Sequence, residues 1–370
     1  MPSFLRQATE KQEETISLIQ ALVECESPSG LNDLLIEATK DLATAKIVKK
    51  SHLRLEFSLG FPGGKRKSPQ LLALGHSDTV WEPGTLKSMP FRRADGRLWG
   101  PGVLDMKAGI AFFLTAMRIL HEQDIPLPHP VVLLIVSDEE IGSPTSRDVT
   151  EAEARKSSHV LVLEPGTGLT GKLKTSRKGV GNYQLLVHGK AAHAGVDFSN
   201  GASAILEAAR QIERIAGFTN LEQGTTLNPG VIQGGTRTNV IAAEAQVDID
   251  LRVTKLRHAA AIDKKLRALK PFDKRCTLEI TGGLNRPPME RTKAIASLFK
   301  TAQAIGRELG IEIEESSTGG GSDGNFTAAL GIPTLDGLGA VGEGAHAPNE
   351  SILINRIPDR IALLAGICAR

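Results

Sequence analysis

No run of apolar residues in this sequence approaches the roughly 20 needed to cross a bilayer. Cysteine is also scarce. Cys25, Cys276 and Cys368 are the only three, too few and too far apart for a disulfide framework or zinc-finger spacing. Neither sign of charge is in excess: 44 basic against 42 acidic residues leave a formal net charge of +2. Nucleic acid and an anionic membrane are therefore not expected partners. Internal repeats and low-complexity tracts are absent. The opening residues, MPSFLRQATEKQEE, turn polar at once and lack the apolar core of a secretion signal, so a reducing, cytoplasmic location is expected.

What is present is ordinary globular material, 41% hydrophobic and 23% charged. At 370 residues the chain exceeds one comfortable core, and two domains are expected. An opening helix is read over 8–24, a Ser-Pro-Ser-Gly break at 27–30, and a second helix near 31–43. KIVKKSHLRLEFSLG alternates like a half-buried antiparallel strand. GFPGGKRKSPQ reads as a surface turn, with Lys65 to Lys67 solvated. LLALG (71–75), VVLLIV (131–136) and VLVLEP (160–165) are unbroken apolar runs, the pattern of parallel strands buried on both faces. A long apolar helix is expected over about 107–122.

Each of the three buried runs delivers metal-binding side chains at its carboxyl end: His76 and Asp78, then Asp138, Glu139 and Glu140, then Glu164. Ligands of open α/β sheets gather at that edge. Three adjacent carboxylates repel one another unless a cation sits among them. Asp105, in the Gly-rich GPGVLD segment, and His346, in GEGAHAPNE, complete the candidates. Two histidines and three carboxylates are too many for one tetrahedral zinc. They suit two divalent ions about 3.5–4 Å apart that share a carboxylate and a water. Zinc is the expected metal, with cobalt or manganese as alternatives. Asp105 is a reasonable bridge, and Asp78 can accept the second N–H of His76 and fix its tautomer. If Glu140 is a ligand, Glu139 stays unligated and can take the proton of the attacking water and pass it to a leaving amine.

From about residue 174 to 282 the texture changes to strand (180–188), helix (201–216), strand (226–234), strand (240–252), helix (256–269) and strand (275–281). That is the split βαβ, ferredoxin-like order. The expected domains are thus 1–173 and 283–370, two parts of one catalytic domain, and 174–282, an insertion. The fold class is α/β: a mostly parallel, helix-flanked sheet plus an inserted ferredoxin-like α+β domain.

GHSDTV, GPGVLDMKAG, SDEEIGS, LEPG, GKAAHAG and GAHAPNE together resemble the zinc exopeptidase and deacylase family of glutamate carboxypeptidases, acetylornithine deacetylases and succinyl-diaminopimelate desuccinylases. The likeness runs from about residue 70 to the C-terminus and is strongest to the glutamate carboxypeptidase branch. It implies that His76, Asp105, Glu140, Glu164 and His346 are ligands of two zinc ions per subunit, with Asp105 bridging. It also implies Glu139 as general base and Asp78 as the residue orienting His76. His193 matches the histidine that reaches a partner subunit's active site and helps to stabilise the oxyanion. Asn239 matches a polar substrate contact, and Arg252 an arginine that grips the substrate's free carboxylate. Members of this family can hold a cis peptide after the bridging aspartate, here Asp105–Met106. The insertion is implied to be both a lid and a dimerisation domain, making a homodimer.

Blander readings stand beside these. Gly319, Gly320 and Gly321 could be a flexible turn, or could offer backbone N–H groups to a carboxylate at the start of a helix near Asp323. Asp323 itself reads as that helix's N-cap. Arg177 is a weaker anion-binding candidate, and Arg252 could be a surface ion-pair partner. His52, His121, His129, His159, His188 and His258 read as surface or structural. The expected activity is hydrolysis of an amide or peptide bond in a small molecule or peptide with a free carboxylate. Deacylation of an N-acyl amino acid is the alternative. A two-metal phosphoesterase and a binding protein without turnover are more distant readings.

Overall fold

Apolar runs without polar alternation have nowhere to expose a face, and here they form the centre of a covered sheet. The computed structural model describes residues 2–26, 28–57 and 69–370. The turn expected at GFPGGKRKSPQ, with Lys65 to Lys67, lies almost wholly outside the described residues. The chain divides into two compact units. One contains the residues up to Ser176 with Arg291–Thr318 and Ser322–Arg370; the other is Arg177–Glu290 with Gly319–Gly321.

The first unit is built on β1 (Ala43–Val48), β2 (His52–Phe57), β3 (Gln70–His76), β4 (Val131–Val136) and β5 (Ser157–Val162). Their order is β1-β2-β4-β3-β5, with the short strand Thr334–Leu335 beyond β5. β3 runs parallel to both β4 and β5, and Thr334–Leu335 runs parallel to β5. β1 and β2 form an antiparallel edge. Successive residues of the central strands feed opposite cores. Leu71, Ala73, Leu133 and Ile135 join one cluster, which includes the helices Ala108–Glu122 and Ile357–Cys368. Leu72, Leu74, Val132, Leu134 and Val160 join the other. Period-two side-chain alternation in a sheet covered on both sides produces this division.

The edge differs from its expectation as a single strand. Lys49 and Lys50 sit at φ 48 and 71, turning the segment into a hairpin. Lysine pairs are not among the residues that favour positive φ, so the turn carried no local signal. The opening helix is likewise two, Pro2–Glu10 and Gln12–Glu24. Among the described residues, no helix is long and apolar enough to cross a membrane.

The second unit has a four-stranded antiparallel sheet of β6 (Gly179–His188), β7 (Thr226–Gly234), β8 (Glu244–Val253) and β9 (Thr277–Arg286), in the order β7-β8-β6-β9. The helices Ala204–Ala216 and Leu256–Arg267 supply part of one apolar core with Tyr183, Leu185, Val187, Val247, Ile249 and Leu251. β8 starts four residues later than the 240–252 expectation. Val240 and Ile241 pair instead with the 192–193 loop, where Ile241 N–H donates to the Ala192 carbonyl at 2.9 Å.

In the first unit, the helix Ala108–Glu122 meets the exit of β5 through bare backbone. A Cβ on Gly109 would lie 2.0 Å from the Leu163 carbonyl oxygen, and one on Gly339 would lie 2.1 Å from the same atom. Gly109→Ala is therefore expected to lower stability by about 1–3 kcal/mol through overpacking. Gly283→Ala, whose new methyl would meet nothing within 4 Å, should stay within about 0.5 kcal/mol of wild type. Thermal and denaturant unfolding of both variants checks the contrast, which equal losses would contradict.

Candidate metal centre

The parallel strands β3, β4 and β5 end at one edge of the sheet, and their exits converge. His76 closes β3, Glu139 and Glu140 follow β4 in a turn, and Glu164 lies two residues beyond β5. Asp105 arrives from a different direction. It is held extended at φ −115, ψ 92, with a cis bond to Met106, just before the helix Ala108–Glu122 begins. His346 comes from a tight turn near the C-terminus and sits in the left-handed region at φ 63.

These residues form two groups of donors that share one member. His76, Asp105 and Glu164 make one, and Asp105, Glu140 and His346 the other; within each group the ligand atoms lie within 4.8 Å of one another. His76 Nε2 is 3.2 Å from Asp105 Oδ1 and 3.6 Å from Glu164 Oε1. His346 Nε2 is 3.3 Å from Asp105 Oδ2 and 3.4 Å from Glu140 Oε2. Ligands about 2.0–2.1 Å from a tetrahedral ion stand roughly 3.3 Å from each other, so the spacing fits a divalent cation in each group. Asp105 turns one oxygen to each histidine, as a bridging carboxylate does.

The electrostatics point the same way. Burial drives Glu140 up to about 7, with Asp105 and Glu164 adding repulsion against the opposing pull of His76 and His346. Among the described residues, its Oε1 is buried and finds no hydrogen-bond partner. Burial opposes charge on His76, but Asp105 and Glu164 outweigh it and hold the imidazole well above its ordinary value, with a contribution from the charge of Glu139. Asp105 raises His346 to about 9, against burial and with help from Glu140. Burial would raise Asp105, yet His346 and His76 force it well below the usual carboxylate range. An orphaned carboxylate oxygen among three acids and two imidazoles fits a site for cations.

The three acids after β4 have separate surroundings. Asp138 turns inward, where its Oδ2 accepts from Thr145 N–H at 2.7 Å, the Thr145 hydroxyl at 2.7 Å and Ser146 N–H at 3.2 Å. Burial works against its charge, and these donors still hold its carboxyl below the ordinary value. It fixes the turn that carries Glu139 and Glu140. Asp78 differs from its expected part. His76 Nδ1 donates to the Asp78 backbone carbonyl at 2.9 Å, and the carboxylate Oδ1 stands 3.7 Å away. The chain folds back after His76 so that the nearer acceptor is main chain. Asp78 Oδ2 accepts from Glu140 N–H at 2.9 Å instead, linking two site residues.

In the second unit the remaining candidates fall into two places. His193 and Asn239 are exposed on adjacent loops, joined by the Ala194 N–H bond to the Asn239 carbonyl at 3.0 Å. Arg177, Arg252 and the glycine stretch meet elsewhere. Arg177 donates to the Gly320 and Gly321 carbonyls at 3.3 and 2.9 Å, and Arg252 to Gly319 at 3.4 Å. The glycines thus present their carbonyls to arginines, contacts that do not involve the N–H groups expected to meet a carboxylate. The following helix, Gly324–Ala329, has only six residues. Nor is Asp323 a capping side chain. Its backbone is already helical at φ −63, ψ −18, whereas a capping residue is extended, and its carboxylate accepts from the Ser143 hydroxyl at 2.5 Å. Arg252 also pairs with Asp250, Nε to Oδ1 and Nη2 to Oδ2 both at 2.9 Å.

Two residues escaped the sequence reading. Arg286, at the end of β9, is buried and lies so close to Gly321 that a Cβ there would be 2.9 Å from its Cδ. Glu350, the last residue of the GAHAPNE motif, is buried in the first unit and accepts four N–H groups, three of them from the loop that ends in Asp105. Its position four residues after His346 was the only available signal.

At neutral pH the residues alone hold protons that a bound cation must displace. His76, His346 and Glu140 are all shifted upward and so favour their protonated forms. Loading the metal-free protein with zinc at pH 7 should therefore release protons. Affinity should rise with pH as these groups lose their protons. An indicator dye in weak buffer reads the release, and zinc uptake without any release would contradict the arrangement.

Known proteins share this architecture. The chain is 29% identical over 373 residues to carboxypeptidase G2 of Pseudomonas sp. (strain RS-16), covering 97% of this chain and 90% of that one. It is 28% identical over 378 residues to the succinyl-diaminopimelate desuccinylase of Dechloromonas aromatica (strain RCB), covering 95% and 97%. The structure of the YXEP protein of Bacillus subtilis, described as a dinuclear metal-binding peptidase, superposes with a TM-score of 0.72 at 16% identity, covering 98% of each chain. Residues 72–370 match the model of peptidase family M20/M25/M40. The chain belongs to that family, and is a metal-binding peptidase or amidohydrolase.

Proposed function

We propose that this chain is a dinuclear zinc hydrolase that cleaves an amide or peptide bond next to a free carboxylate, in the manner of a glutamate carboxypeptidase. One observation carries the two-metal reading: Asp105 offers its two oxygens to two different histidines, at 3.2 and 3.3 Å. His76 and Glu164 would hold one ion and Glu140 and His346 the other, with Asp105 common to both. Bound there, two divalent ions would polarise the scissile carbonyl and make water acidic enough to attack at neutral pH.

The chain's own residues do the remaining work. Glu139, beside Glu140 and close enough to His76 for its charge to act on the imidazole, takes the proton of the attacking water. It then returns that proton to the departing nitrogen. His193, reaching the site of a partner subunit, steadies the negative charge that grows on the carbonyl oxygen. Arg252 grips the substrate's free carboxylate. Asp250 occupies its Nε–Nη2 edge and the Gly319 carbonyl takes an Nη1 hydrogen, which leaves the second hydrogens of Nη1 and Nη2 to the substrate. Arg177 and Arg286 beside the Gly319–Gly321 stretch add positive potential, and Asn239 supplies a polar contact.

Arg177–Glu290 serves as lid and dimerisation domain. The homodimer reading is supported by β7, an edge strand with Val231 and Ile232 exposed, and by Ile205 and Leu206 exposed on the helix Ala204–Ala216. None of Cys25, Cys276 and Cys368 is in a disulfide among the described residues, which suits the reducing cytoplasm. Deacylation of an N-acyl amino acid is the second reading, favoured by the similarity to the desuccinylase along 95% of this chain.

Zinc-loaded protein assayed on peptides ending in glutamate, on folate-like glutamates, and on N-acetyl and N-succinyl amino acids should turn over the glutamate conjugates fastest. Preference for the N-acyl amino acids would replace the first reading with the second. Glu139→Gln should keep its metals and lose about 10²–10⁴-fold in kcat. Unimpaired hydrolysis by that variant would overturn the proton-transfer role.

A further inference from the structure

The carboxylate of Glu350 is fully engaged, and its partners are unusual in where they lie. Oε1 accepts from the main-chain N–H groups of Leu104 at 2.9 Å and Asp105 at 3.0 Å. Oε2 accepts from Gly102 N–H at 2.9 Å and from the Trp81 indole at 2.8 Å. The Glu350 carbonyl also receives Gly100 N–H at 3.4 Å. One side chain therefore collects the amides of the segment that ends in Asp105, just where its backbone leaves the Gly102 turn at φ 71 and before the helix Ala108–Glu122 starts. Burial disfavours its charge, while the Asp105 and Gly102 amides and the Trp81 indole support the charged form.

Glu350 is also tied to the opposite wall. It lies four residues beyond His346 in the same turn, closed by its own N–H to the Ala347 carbonyl at 2.9 Å. Gly344 makes that turn tight: at φ 82, a Cβ there would stand 2.6 Å from the Asn349 carbonyl oxygen. The residue that carries His346 on its turn thus grips the backbone of Asp105, and the two side chains face each other at 3.3 Å. The geometry points to Glu350 as a positioning residue that sets the separation of Asp105 and His346, and thereby the affinity of the site for its cations. It touches neither cation nor substrate. This inference rests on the dinuclear reading of the site.

Replacement by glutamine is a sharp probe. Each carboxylate oxygen accepts two N–H groups, so whichever position the amide nitrogen takes, a donor opposes donors. Metal-free full-length wild type and Glu350→Gln are titrated with zinc against a chromophoric chelator, with circular dichroism to verify folding. Supporting groups behind metal ligands typically alter affinity by about 10–100-fold. A loss of that size is expected for at least one ion in Glu350→Gln, with kcat recovering as zinc is raised and KM unchanged. Trp81→Phe, which strips one donor from Oε2, should weaken zinc by less than about tenfold. A folded Glu350→Gln protein with wild-type zinc affinities overturns the proposal, even if its melting temperature has fallen. If Glu350→Gln does not fold, Trp81→Phe decides: weakened zinc binding supports the role and unchanged binding overturns it. Wild type that takes up fewer than two zinc ions defeats the dinuclear reading and this inference with it, an outcome distinct from failure of Glu350 alone.

Discussion

Packing three carboxylates and two imidazoles into a few ångströms at the edge of a dry sheet is the constraint around which the first unit is arranged. Like charges in that setting repel strongly, because the surroundings screen them poorly. Burial drives Glu140 up to about 7, and repulsion from Asp105 and Glu164 adds to it against the pull of His76 and His346. Within the two donor groups, the side chains able to carry positive charge are the two histidines. A site that keeps its acids close is one whose neutralising charge comes from bound ions. The family assignment agrees with that physical expectation.

The fold supplies the proximity cheaply. Parallel strands bring their carboxyl ends to one edge without special sequence, and residues 76, 140 and 164 need only be placed just past the last buried residue. Asp105 and His346 have no strand to deliver them. They depend on loops, and the carboxylate of Glu350, on the turn of His346, pins the Asp105 segment; Asp138 and Asp78 add bonds to the turn carrying Glu140. The distribution is economical in physical terms. Regular structure positions three of the candidate ligands, and a carboxylate that accepts several N–H groups holds the loop of a fourth.

Legibility in the sequence followed the same division. The buried parallel strands could be read because six apolar residues in a row admit few alternatives, and the ferredoxin-like order could be read from strand and helix periods. The candidate donors that the structure brings together could be picked out because each sits where a buried run stops or in a motif of recognisable spacing. The supporting bonds could not. A contact such as Glu350 with Gly102 joins residues 248 positions apart, and no local pattern announces it. Asp78 shows a subtler limit: the expected residue lies beside His76, but its backbone rather than its side chain takes the imidazole proton. The Lys49–Lys50 hairpin depends on positive backbone angles that lysine does not favour, and Asp323 turns its carboxylate to the hydroxyl of Ser143, 180 positions away, rather than to its own helix.

The glycine seam around the Leu163 carbonyl has a consequence for how such a centre can change. Gly109 follows Asp105 by four residues, Leu163 immediately precedes Glu164, and Gly339 donates its N–H to the Glu164 carbonyl at 2.8 Å. The spacing of these two candidate ligands is set by main chain lying on main chain, where there are no rotamers to exchange. Laboratory evolution toward a larger or smaller ion would find that wall rigid. Adaptive substitutions should accumulate instead around His346, whose side chain is half exposed and carried by a turn, making that loop the adjustable jaw of an otherwise fixed vice.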